Sequence, residues 1–134
     1  MAMTFNHLNL LASADSGIFA LLVDTLGLEV GQRPDFPFKG HWLYQGDKAL
    51  VHIIESQAYQ ECQFGHLAFE LDMNLQELTI KLQQSAIQYS VKQVPDSEIV
   101  QVFVRVGNMV FELQTLNQSR KNQFPVFTQH EELV

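Results

Sequence analysis

The sequence predicts an α+β fold made of two tandem modules, each a strand, a helix and three further strands. Three observations carry this. Residues of metal-ligand type recur in register, His7 and His52 lying 45 residues apart and His66 and Glu112 46. The local sequence recurs with them: Phe5-Asn6-His7-Leu8 is echoed by Phe64-Gly65-His66-Leu67, and the run from Gly46 to His52 by the run from Gly107 to Glu112. The hydrophobic period also changes in the same order in both halves, from two to helical and back to two. Two copies indicate a duplicated single domain, since a solenoid needs three or more repeats.

Module one spans residues 4–56. Residues 4–12 alternate, with Leu8 and Leu10 on one face and Phe5, His7 and Asn9 on the other. Asp15 or Ser16 is placed to N-cap a helix over 16–26, with Ile18, Phe19, Leu22, Val23 and Leu26 as its apolar stripe and Gly27 as the terminating C′ residue. A strand over 28–32 follows, then a loop over 33–40 stiffened by Pro34 and Pro37. Strands over 41–45 and 49–56 turn about Gly46-Asp47-Lys48.

Residues 58–63 are a polar connector, and module two spans 64–116. Leu67, Phe69 and Leu71 share one face of its first strand, while Phe64, His66 and Ala68 share the other. Asn74 and Glu77 have capping-box spacing, opening a helix to about Ser85 that buries Leu75, Leu78 and Leu82. Strands over 87–93, 99–106 and 109–115 complete the module, with Gly107-Asn108 as the last tight turn. Residues 117–134 form a tail whose patch Phe124-Pro125-Val126-Phe127 could pack on the domain or on a second subunit.

Composition narrows the function. At 134 residues, 46% hydrophobic and 17% charged, the chain reads as one ordinary globular domain. A formal charge of −7 argues against nucleic acid or an anionic membrane as partner. No apolar run is long enough to span a membrane, no signal peptide is visible, and Cys62 is the single cysteine, which together suit a cytoplasmic protein.

A single histidine in a strand is ordinarily a hydrogen-bonded core residue. Repetition in register raises His7, His52, His66 and Glu112 together. Glu112 has the best individual case, because flanking Phe111 and Leu113 place it in an enclosed site where a lone charge is costly. Imidazole and carboxylate donors suit a divalent ion of Ni, Zn, Co, Mn or Fe. Phe36, Phe38, Trp42 and Tyr44 bunch around the proline loop, either lining an apolar pocket mouth with Asn9 nearby or anchoring the loop. Glu55 reads as a surface charge, His41 as a solvated edge residue or the border of a pocket, and Arg105 as an exposed strand charge or a contact for an anionic substrate. His130 carries no signal.

The ordered motifs Phe-Asn-His-Leu, Ala-Leu-Val-His, Phe-Gly-His-Leu-Ala-Phe and Val-Phe-Glu-Leu resemble the vicinal oxygen chelate superfamily. That group comprises glyoxalase I, fosfomycin-resistance enzymes, extradiol dioxygenases, methylmalonyl-CoA epimerases and bleomycin-resistance proteins. The resemblance covers residues 4–116 and includes the Arg33-Pro-Asp-Phe-Pro-Phe-Lys-Gly-His-Trp stretch. It implies a half-open eight-stranded barrel around one metal, held by His7, His52, His66 and Glu112, and a homodimer. It also implies a small-molecule substrate whose two neighbouring oxygens meet the metal.

Two activities follow from the resemblance. In a glyoxalase-like lyase or isomerase, the metal is a Lewis acid and Glu112 the proton-shuttling base. In a bleomycin-resistance-type protein, an apolar groove only sequesters its ligand, and the intact ligand set counts against this. An extradiol dioxygenase needs two His and one Glu, which His7, His66 and Glu112 supply. A fourth ligand at His52 would crowd the positions that dioxygen and catechol need.

Overall fold

The computed structural model describes residues 2–59 and 61–116, so the predicted tail and His130 lie outside the described residues. Ten elements follow in order: β1 (Met3–Ala12), a π-helical segment (Ala20–Thr25), β2 (Glu29–Gly31), β3 (Gly40–Gln45), β4 (Lys48–Glu55), β5 (Gln63–Leu71), α1 (Leu75–Gln84), β6 (Tyr89–Gln93), β7 (Ile99–Val106) and β8 (Met109–Leu116). The strands form one mixed sheet in the order β2-β3-β4-β1-β5-β8-β7-β6. It does not close, β2 and β6 being its edges, as the predicted pair of βαβββ modules and a half-open barrel require. No helix among the described residues is long and apolar enough to cross a membrane.

Of the described residues, those of 6–66 make one compact unit, and 2–5 with 67–116 make another. In the first, β4 lies parallel to β1, with Leu8 opposite Val51 and Asn9 opposite His52. β3 runs antiparallel to β4, and β2 to β3. Ala12, Leu43, Val51 and Ile53 form the core, with Ile18, Phe19, Leu22 and Val23 of the helical stretch packed on it. Period-two alternation therefore turns His7, Asn9, Trp42 and His52 to the opposite face.

The helical stretch departs from expectation. Its N-cap is Phe19, with no side-chain cap bond, so neither Asp15 nor Ser16 holds that place. Leu26 donates its N–H to Leu21 O, five residues back, which widens the turn. The wider turn breaks the 3.6-residue stripe, and Leu26 is left exposed. Gly27 does end the helix, at φ +83, donating to Val23 O while Leu28 donates to Leu22 O.

The second unit follows the sequence closely. Asn74 Oδ1 accepts from the Glu77 N–H at 2.9 Å, and Glu77 Oε1 accepts from the Asn74 N–H at 3.0 Å, completing the capping box. Leu75, Leu78 and Leu82 of α1 are buried against Val91, Val100, Val102 and Val104. β8 lies parallel to β5, with Ala68 opposite Glu112. The Gly107-Asn108 turn sets Val106 opposite Met109, and counting back along the hairpin brings Phe103 opposite Glu112 and Gln101 opposite Gln114. Glu112 and Gln114 thus share the sheet face that α1 does not cover, yet both are buried.

Candidate metal centre

Among residues 6–66, three aromatic rings are stacked face to face. His7 lies 3.5 Å from His52 between centroids, at 16°, and His52 lies 3.8 Å from Trp42, at 12°. Neighbouring strands create this, because Trp42 pairs directly with His52, and His52 with Asn9. His66 meets the His7 ring edge-on at 5.5 Å. His7 and His66 are 1% and 3% exposed.

Hydrogen bonds set the ring nitrogens. Asn6 Oδ1 lies 2.6 Å from His7 Nδ1 and can only accept, so Nδ1 carries the proton and Nε2 is the nitrogen with a lone pair to offer. His52 is the reverse: its Nε2 lies 3.1 Å from Ala49 O, another obligate acceptor, and so donates there.

Glu112 is 1% exposed. Its Oε2 accepts from Gln114 Nε2 at 2.7 Å and from Gln101 Nε2 at 3.3 Å. His7, His66 and Glu112 each offer one ligand atom, and these atoms lie within 4.8 Å of one another. Two imidazoles and a carboxylate, all buried, fit a divalent transition ion by donor chemistry, and a cation offsets the enclosed negative charge. His52, expected as a fourth ligand, falls outside this group. Period two identified its face but not its stacking or its bond to Ala49.

The expected pocket residues Asn9, Phe36, Phe38 and Trp42 all lie in the unit of residues 6–66. Asn9 is buried, donates from Nδ2 to His52 O at 3.2 Å and presses on Gly65, where an added Cβ would sit 1.9 Å from Asn9 Oδ1. Phe36 and Phe38 stack on each other at 5.1 Å, with the Arg33 guanidinium over both rings and bonded to Phe38 O at 2.7 Å. They anchor the proline loop to Trp42, whose ring is 6.3 Å from Phe36. Burial draws the Arg33 pKa down, with Asp35 opposing.

Two readings need correction. Glu55 is no solvated charge: its side chain is 8% exposed, bonded to His41 Nε2 at 2.6 Å and to Lys39 Nζ at 3.1 Å. Those bonds, His41's first, hold its carboxyl below the usual range. His41 is accordingly only partly solvated, its side chain 30% exposed and its ring edge-on to Phe19 at 5.0 Å. The sequence reading missed Asn6, Gln101 and Gln114. A signal existed for the glutamines, because the two-residue hairpin alone specifies that Gln101 faces Gln114 and that Gln114 shares a face with Glu112.

No protein-family model and no curated protein matches the sequence. Solved structures do match its fold. Methylmalonyl-CoA epimerase from Mycobacterium tuberculosis aligns at TM-score 0.61 and 11% identity, over 89% of this chain and 91% of that one. The 2,3-dioxygenase LapB from Pseudomonas sp. KL28 aligns at TM-score 0.67 and 15% identity, over 84% of this chain and 40% of that one. The Mn(II)-bound glyoxalase from Novosphingobium aromaticivorans aligns at TM-score 0.61 and 15% identity, over 84% and 38%. The fold is therefore that of the vicinal oxygen chelate proteins. The chain spans about two fifths of the length of the dioxygenase and the glyoxalase.

Proposed function

We propose that the protein is a metal-dependent enzyme of the glyoxalase-like lyase or isomerase type, acting on a small molecule with two neighbouring oxygens. The observation that carries this is the buried grouping of His7, His66 and Glu112. A divalent ion there supplies Lewis-acid stabilisation of negative charge developing on substrate oxygen. The chain's own residues do the rest. Asn6 fixes the His7 tautomer that leaves Nε2 as donor, the His52–Trp42 stack holds the His7 ring plane, and burial keeps bulk water from the charged centre. The match to the epimerase over nearly its full length favours an isomerase.

A second reading, extradiol ring cleavage, gains from one observation. The residues whose ligand atoms are grouped are two histidines and one carboxylate, the set associated with open positions on non-haem iron.

Elemental analysis after metal reconstitution is the first test. About one transition metal per chain is expected, lost in a His7→Ala/Glu112→Ala double variant. A chain that stays metal-free would sink both enzyme readings and leave ligand sequestration. Reconstituted protein offered methylglyoxal with several thiols, and catechols under anaerobic iron loading, separates the first reading from the second.

A further inference from the structure

Glu112 enters the proposed site with its Oε2 held by two side-chain amides. Gln114 and Gln101 both direct Nε2 at Oε2, at 2.7 and 3.3 Å. A carboxylate only accepts, so both amides present their NH2 groups to it, and two donors occupy the two lone pairs of one oxygen. The arrangement is built into the sheet. Gln114 is two residues along β8 from Glu112, hence on the same face, and Gln101 is directly across the β7–β8 ladder from Gln114. Gln114 is buried, so its amide is not held there by chance of solvent exposure.

We infer that Gln114 and Gln101 are positioning residues that make Glu112 a fixed metal ligand. They pin Oε2 and keep the carboxylate from swinging away as a mobile proton carrier. This rests on the metal reading above and revises the role expected for Glu112 within it, from shuttling base to anchored ligand. The proton-transferring group must then be another residue or the substrate itself. The shorter bond assigns Gln114 the larger share.

The test uses full-length protein and Co2+ alone, whose visible d–d bands report coordination number. Gln114→Met keeps side-chain volume and removes the donors, and Gln101→Met does the same at the longer, less buried contact. Loss of an outer partner of this kind typically weakens metal affinity by about 10–100-fold. That range is expected for Gln114→Met, measured by competition with a chelator, with a smaller loss for Gln101→Met and a changed d–d spectrum in both. A role confined to packing would lower thermal stability and leave the spectrum of the bound metal alone. Should Gln114→Met fail to fold, Gln101→Met decides the matter by the same two readouts. Wild-type affinity and an unaltered spectrum in the glutamine variants overturn the positioning role while leaving the metal site standing. Failure of the wild-type chain to bind Co2+ at all overturns the metal reading, and this role with it.

Discussion

Gly65→Ala is the substitution whose cost the structure defines most sharply. The new Cβ would lie 1.9 Å from Asn9 Oδ1, 2.9 Å from Asn9 Cγ and 3.1 Å from Asn9 O. Asn9 is 2% exposed and tied to His52 O, so its side chain has little room to retreat. Gly65 is not among the positive-φ glycines, so backbone strain adds nothing and the effect is one of contact. Overpacking of this kind costs about 1–3 kcal/mol, and losing the Asn9–His52 bond adds about 1 kcal/mol. The sum, about 2–4 kcal/mol, lowers Tm by roughly 10 °C for a domain of this size. In an Asn9→Ala background the obstruction is gone. There, alanine at 65 should be neutral or stabilising by about 0.5–1 kcal/mol, because glycine loses more chain entropy in a strand. Urea unfolding of the four proteins of this double-mutant cycle measures the coupling. Costs that simply add, within about 0.5 kcal/mol, would refute the steric account.

Other outcomes follow from the same geometry. Glu55 has a depressed pKa in the folded state, so its stabilisation is complete above the ordinary carboxylate value and is lost as pH falls toward the folded one. The Tm gap between wild type and Glu55→Gln should therefore be full at about pH 6 and shrink below about pH 4; a gap that widens on acidification contradicts the pairing with His41 and Lys39. Asn74→Ala should cost about 1 kcal/mol in chemical denaturation through loss of the capping box, and no change would mean the cap is not formed in solution. Trp42 is the only tryptophan and sits one ring away from His7, so its fluorescence should be quenched stoichiometrically by Co2+ or Ni2+, an effect abolished in His7→Ala. Metal at a hundredfold excess over its Kd should add about 2.7 kcal/mol of stability, and an unmoved Tm would argue against a native-state site.

What the sequence disclosed was whatever periodicity encodes. Alternation assigned His7, His66 and Ala68 to one sheet face, the Asn74–Glu77 spacing assigned the start of α1, and Gly107-Asn108 set the register of the last hairpin. Properties that depend on a partner stayed hidden. Period two placed Glu55 opposite to His52 but held no sign of His41 waiting across the β3–β4 ladder. It likewise had no means of showing that His52 would be sandwiched between two rings and spend Nε2 on a carbonyl. The π-helical turn was invisible because its stripe, apart from Leu26, is also a good α-helical one.

The parallel pairing of each module's outer strands has a consequence for how the chain comes to be folded. Leu8 waits for Val51, and Leu67 for Phe111, before β1 and β5 gain those partners. Closing such long loops precedes any reward from the ladder, so folding is expected to be slow for a chain of this length. During synthesis, β8 is the last of the eight described strands to emerge, and it carries Glu112. The nascent chain consequently displays His7 and His66 well before the carboxylate that would share a metal with them. A cation captured at that stage would be held by imidazoles alone until β8 brings the charge-balancing ligand.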